Sequence, residues 1–185
     1  MPARLVVLAS GSGTTLQAII DALASNVVAA GTDRPGCPAM AHAQAAGVVT
    51  FAVALADHPD RTEWNVALAD AIAAYEPDLV VLAGFMRLLA DEVVTRFRIV
   101  NTHPSLLPSF PGAHAVRDAL AYGVRVSGVT VHWVDGGVDT GPIIAQAAVP
   151  VRPDDDEPTL QARIQAVEKP LYVETLRTLI REIQQ

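Results

Sequence analysis

"RLVVLASGSGTTLQAIIDALA", residues 4–24, decides the fold class. Its first seven residues form a short, β-branched, apolar run, which reads as a buried strand. Gly11, Ser12 and Gly13 close that strand. From Thr14 onward, Leu16, Ile19, Ile20 and Leu23 recur at helical spacing, with Thr14 or Thr15 placed to cap the helix. A strand that turns through small residues directly into a helix sets an alternation that continues along the chain. Further strands are expected at 27–31, 49–55, 78–84, 98–101, 126–134 and 142–151. Helices are expected at 39–47, 61–75, 115–123 and 159–184, the last kinked or divided by Pro170. Such alternation predicts a single α/β domain over residues 1–185, with a mostly parallel, Rossmann-like sheet covered by helices on both faces. Two connections look too short. Leu23 to Val27 leaves little room for a turn, and helical "DEVVTRF" (91–97) runs straight into "RIVN" (98–101), so a longer loop is expected at each.

Composition narrows the class. Apolar residues make up 51% of the 185 residues and charged residues 18%, enough to build a packed core. No apolar run approaches a membrane span, and "MPARLVVLAS" reads as a first strand rather than a targeting segment. Cys37 is the single cysteine, so no disulfide framework and no cysteine-based zinc site are expected, in keeping with a reducing cytoplasm. A net charge of −7 argues against a general nucleic-acid binder, which needs a basic face. "RPDDDEP" (152–158) reads as a solvated loop.

Three stretches carry chemistry. "ASGSGTTLQ" (9–17) comes after a strand and opens a helix, so its backbone N–H groups and the helix dipole suit a phosphate. The alternative is a ligand-free Gly-rich turn. Leu16 occupies the third glycine position of a dinucleotide fingerprint, and no Gly-Lys-Ser/Thr is present after it, so neither common nucleotide motif is complete. "NTHPSLLPSFPGAHA" (101–115) places Asn101 and His103 at the carboxyl edge of a parallel sheet, where open α/β sheets bind ligands. Pro104, Pro108 and Pro111 stiffen the loop after His103. "VTVHWVDGGVDTGPII" (129–144) sets His132 in a strand and Asp135 and Asp139 in the next turn. Each residue alone fits a structural role. Together, an Asp that favours a charged imidazole and an Asn amide that meets a developing oxyanion suit acyl transfer between two substrates.

These segments resemble the phosphoribosylglycinamide (GAR) formyltransferases, the folate-dependent transformylases of purine biosynthesis. "VVLASGSGTTLQAIIDA" is similar to that family's phosphate loop, "PDLVVLAGFMRLL" to its folate-pocket segment, "NTHPSLLPSFPGAHA" to its catalytic loop, and "GVTVHWVDGGVDTGPIIAQAAVPV" to the segment bearing its catalytic Asp. The resemblance implies the formyltransferase fold and direct attack of the GAR amine on the formyl carbon of 10-formyltetrahydrofolate, through a tetrahedral intermediate. It assigns Asn101 to the oxyanion and His103 to general-acid catalysis. Asp139 would hold that His in its charged form and order a water, with His132 supporting. It assigns Gly13, Thr14, Thr15 and Glu168 to the ribonucleotide. Arg61, Met86, Arg87, Leu88, Leu89 and Asn101 fall to the folate, an Arg suiting a glutamate carboxylate. It implies a phosphate- and ribonucleotide-binding half at 1–100 and a catalytic and folate-binding half at 101–185. It also implies no metal, no nucleic-acid or membrane partner, a cytoplasmic location, and a monomer or homodimer. Where family members often carry Asn in the phosphate loop, this chain has Ser12 and Thr15, leaving the cradle to backbone donors.

Other assignments fit less of the chain. Methionyl-tRNA formyltransferase shares an Asn, His and Asp of this kind, but it typically carries a tRNA-binding domain, and this chain is acidic. Formyltetrahydrofolate hydrolase usually has a His-His pair where this chain has His103-Pro104. A non-catalytic nucleotide-binding module, or a nicotinamide oxidoreductase with Asp33 on the ribose, would use the Gly loop alone. A metal hydrolase could be assembled from His103, His132 and Asp139 on residue types alone.

Overall fold

A computed structural model describes residues 2–185, which form two compact units. One comprises residues up to Val100 together with Leu179–Gln185, and the other Asn101–Thr178.

The first unit holds four parallel strands in the order β3-β2-β1-β4: β1 (Leu5–Leu8), β2 (Val27–Thr32), β3 (Thr50–Ala52) and β4 (Leu79–Leu82). β1 and β4 have the same sequence, Leu-Val-Val-Leu, and pair in register from Leu5 with Leu79 to Leu8 with Leu82. All eight residues are buried, as strands covered on both faces require. The helices are α1 (Thr14–Leu23), α2 (Pro38–Ala45), α3 (Arg61–Ala73) and the single turn α4 (Asp91–Val94). In α3 the Asp60 carboxylate accepts the Glu63 N–H at 2.9 Å, and Trp64, Leu68 and Ile72 form the buried stripe. The Trp64 indole donates to the Val53 carbonyl at 2.8 Å.

Three expectations are corrected here. α1 is capped by Gly13 and not by Thr14 or Thr15. The third strand is only three residues long and gives way to a 3-10 turn at Leu55–Asp57. The two tight joints need no longer loops. Ala24, Ser25 and Asn26 close the first, Asn26 donating from its backbone to the Leu23 carbonyl (2.9 Å) and from its side chain to the Ala3 carbonyl (2.9 Å). At the second, α4 stops at Val94, so four residues remain to reach β5 (Ile99–His103).

β5 extends through His103, so Asn101 lies inside the strand and not at its tip. In the second unit β5 is succeeded in the sheet by β6 (Val126–Trp133) and β7 (Ile143–Pro150), the last two antiparallel. α5 (Ala115–Tyr122) ends at Gly123, and α6 (Glu157–Ile183) closes the chain. Val116, Val129, Val149, Leu160 and Ile164 form the core of this unit. α6 is one helix, neither divided nor ended at Pro170. Its buried positions Leu160, Ile164, Glu168, Tyr172 and Leu176 recur every four residues on both sides of the proline, while Pro170 is exposed. The missing backbone bond therefore falls on the solvent face, and packing on the buried stripe carries the helix across it.

Candidate active site

Asn101, His103, His132 and Asp139 converge in the second unit. Asn101 and His103 point to one side of β5, two residues apart, as the pleat dictates. The antiparallel register of β6 slips at Val131/His132, and such a bulge re-aims the side chain next to it. His132 thus lies with its Nε2 3.3 Å from Asn101 Nδ2 and 3.5 Å from Asp139 Oδ1. Its Nδ1 is 2.9 Å from the Trp133 carbonyl, which can only accept, so the neutral ring carries its proton on Nδ1. In that neutral form Nε2 accepts one N–H of the Asn101 amide, and in the imidazolium form it donates to Asp139 instead. The second N–H of that amide has no protein partner among the described residues.

His103 is 5% exposed. Its Nε2 is 2.8 Å from the Phe110 carbonyl and its Nδ1 3.3 Å from Asp139 Oδ2. Both ring nitrogens face oxygens that accept, an arrangement that the imidazolium satisfies completely. Phe110 and Asp139 both adopt left-handed backbone, at φ 53° and 54°. Asp139 Oδ2 also accepts the Gly112 N–H at 2.8 Å. Burial pushes the Asp139 carboxyl up, but the His132 and Gly112 hydrogen bonds and the two imidazoles together bring it below the usual carboxylate value.

The loop between β5 and α5 is held by side chains. Thr130 donates to the Ser105 carbonyl (2.7 Å) and accepts from the Leu107 N–H (3.0 Å) and from Gln146 Nε2 (2.9 Å). Gln146 also donates to the Leu107 carbonyl at 2.9 Å. Nothing in the sequence marks this clamp, since Thr130 and Gln146 read as ordinary strand residues.

In the first unit, the Gly-rich turn leads into α1. Gly13 caps the helix at φ 78°, and its carbonyl accepts the Gln17 N–H at 2.8 Å. A β-carbon there would stand 2.5 Å from Ala39 Cα and 2.9 Å from Ala39 Cβ, so only glycine fits. The Ala39 N–H donates to the Gly11 carbonyl at 3.1 Å, tying the start of α2 to the same turn. The first-turn N–H groups of α1 form a helix N-terminus of the kind that suits an anion.

A model of the formyl transferase family matches residues 3–176. The chain belongs to the formyl transferase family. It is 55% identical to the phosphoribosylglycinamide formyltransferase of Mycobacterium tuberculosis over 184 residues, covering 96% of this chain and 85% of that one. It is 40% identical to the Escherichia coli protein of the same name, covering 91% and 83%. The fold superposes on the crystal structure of glycinamide ribonucleotide transformylase 1 from Symbiobacterium toebii with a TM-score of 0.95 and 46% identity, over 98% of this chain and 89% of that one.

The other site residues expected of this formyl transferase are spread over both units. Thr14 and Thr15 start α1, and Glu168 is buried on α6. Met86, Arg87, Leu88 and Leu89 come after β4 in irregular backbone. Met86 and Leu88 are 71% and 61% exposed, and Leu89 is buried. Arg61, at the start of α3, donates to the Leu88 carbonyl at 2.6 Å and lies over the Trp64 ring. The Asp33 side chain is fully buried and presents no oxygen to a ribose hydroxyl. One carboxylate oxygen accepts the Ser10 hydroxyl at 2.5 Å and the other accepts Arg87 Nε at 2.6 Å, so the nicotinamide assignment loses its acidic residue. Among the described residues no group of three or more His, Cys, Asp or Glu is placed to hold a metal ion. His103, His132 and Asp139 instead pair through hydrogen bonds and charge.

Proposed function

We propose that this chain transfers the formyl group of 10-formyltetrahydrofolate to the amine of 5′-phosphoribosylglycinamide, in the cytoplasm and as a step of de novo purine biosynthesis. The observation that carries the reading is the Asn101–His132–Asp139–His103 cluster in a chain 55% identical to a phosphoribosylglycinamide formyltransferase. In this reading the substrate amine attacks the formyl carbon, and the carbonyl oxygen becomes an oxyanion. The free N–H of Asn101, oriented through His132, donates to that oxyanion. His103, held by Asp139 and the Phe110 carbonyl, lends a proton to the oxyanion and recovers it when the carbonyl re-forms, while Asp139 takes part in moving the amine proton to the departing folate nitrogen. The new C–N bond forms first, giving a tetrahedral intermediate, and the C–N bond to the folate breaks as that intermediate collapses, so the balance is one formyl moved one way and one proton the other. Gly13, Thr14, Thr15 and Glu168 bind the ribonucleotide. Arg61 and Met86 to Leu89, with Asn101, bind the folate.

The test is formyl transfer between these two substrates by the wild-type chain and by His103→Ala, with no metal added. Transfer by the wild type that falls by about 10²–10⁴-fold in the variant supports the assignment, the range expected for loss of a positioned acid. A folded wild-type chain without transfer refutes it.

A further inference from the structure

Residues 86–89 make no helix or strand, so nothing in the regular backbone sets their shape. Side chains do. The Met86 N–H donates to the Ser10 hydroxyl oxygen (2.9 Å), and that hydroxyl donates to Asp33 Oδ1 (2.5 Å). Arg87 Nε donates to Asp33 Oδ2 (2.6 Å). The ring closes: two consecutive residues of the segment are tied, one through Ser10 and one directly, to a single carboxylate. Ser10 is 1% exposed and the Asp33 side chain is fully buried. A backbone bond, from the Ser10 N–H to the Gly84 carbonyl (3.1 Å), anchors the start of the same segment. Farther along, Arg61 holds the Leu88 carbonyl and Asn65 Oδ1 accepts the Ala90 N–H at 3.3 Å.

The outcome is an irregular segment, pinned on its polar side, that leaves the apolar side chains of Met86 and Leu88 open. A flat heteroaromatic ring is the kind of ligand such a wall receives. We infer that Asp33 is a positioning residue for the folate cosubstrate: through Ser10 and Arg87 it fixes the backbone of 86–89 in the shape that binds the pterin. This rests on the folate reading proposed for the same segment. A buried carboxylate that spends both oxygens on one loop does more than fill space, because a neutral side chain of the same size cannot accept from both donors at once.

Asp33→Asn, Arg87→Met and the double variant are assayed for formyl transfer with each substrate varied in turn. Loss of one buried charge-assisted hydrogen bond sets the expected size of the effect at about tenfold. KM for 10-formyltetrahydrofolate should rise by about that factor in Asp33→Asn, with KM for the ribonucleotide and kcat each within about twofold of wild type. The double variant should fall short of the sum of the two single effects, since Asp33 and Arg87 share one bond while Asp33 also holds Ser10. Asp70→Asn, which breaks the exposed Arg96–Asp70 pair, should leave the folate KM unchanged. Equal changes in both KM values, or additive effects in the double variant, overturn the inference in favour of a general packing role. If Asp33→Asn does not fold, Ser10→Ala removes the carboxylate's other link to the segment at a residue that does not itself bind the folate, and an unchanged folate KM there overturns the inference. Tetrahydrofolate binding by calorimetry separates the two readings. A wild-type chain that neither binds it nor transfers formyl refutes the proposed formyl transfer, whereas equal binding by wild type and variants refutes the role of Asp33 alone.

Discussion

Asp139 stands between two imidazoles in a backbone conformation that few non-glycine residues adopt. Its carboxyl lies below the usual value despite burial, because His132, the Gly112 N–H and His103 outweigh the cost of desolvation. A lowered carboxyl contributes stability that is fully present above its unfolded value, near 3.8, and is lost as pH falls through the folded value. Urea midpoints of the wild type should therefore drop below about pH 4 more steeply than those of Asp139→Asn, which has no such proton to take up. The same variant should lose formyl transfer by about 10²-fold or more at neutral pH, because His103 loses the carboxylate beside its Nδ1. Identical acid limbs in the two proteins count against the pairing. The cluster is legible in the sequence because polar side chains in and beside buried apolar strands have no reason to be there for packing alone. The Ser10–Asp33–Arg87 ring is not legible. Its members are 23 and 54 positions apart, and each has an ordinary local explanation: a small turn residue, a carboxylate after a strand, a surface arginine.

At the scale of elements, the turn from β1 into α1 is legible in kind but not in its cap. Thr14 and Thr15 fit capping statistics, yet the cap is Gly13, because the start of α2 packs against it and leaves no room for a β-carbon. That contact joins residues 13 and 39, beyond the reach of a local pattern. Gly13→Ala should cost about 2 kcal/mol or more, from the left-handed backbone and the collision with Ala39 together. Gly11→Ala, where a β-carbon meets nothing within 4 Å, should shift the urea midpoint little. Equal shifts in the two variants would mean that the turn relaxes around residue 13. The lengths of β3, α4 and β5 escape the sequence for a related reason. Apolar runs mark what is buried, but hydrogen bonding decides how much of a buried run is strand. β5 gains Thr102 and His103, which its polar sequence hides, and β3 loses residues that its apolar sequence promises.

For the whole molecule, thirteen basic against twenty acidic residues leave a net charge of −7. Affinity for a nucleic acid comes largely from releasing counterions at phosphates, and an acidic chain gains little from that. A small anionic ribonucleotide is a different case, because one phosphate at a helix N-terminus needs local donors and not a basic face. In the proposed reaction the charge favours a small anionic acceptor over an RNA. Deacylated tRNA at about 10 μM should not inhibit transfer to the ribonucleotide at about 0.1 M salt, since non-specific binding is already weak there even for basic proteins. Methionyl-tRNA should give no formylated product under conditions in which the ribonucleotide is turned over. Inhibition that weakens as salt is raised, or formylation of methionyl-tRNA, would show that a local basic surface overrides the net charge and would move the acceptor from a small molecule to an RNA.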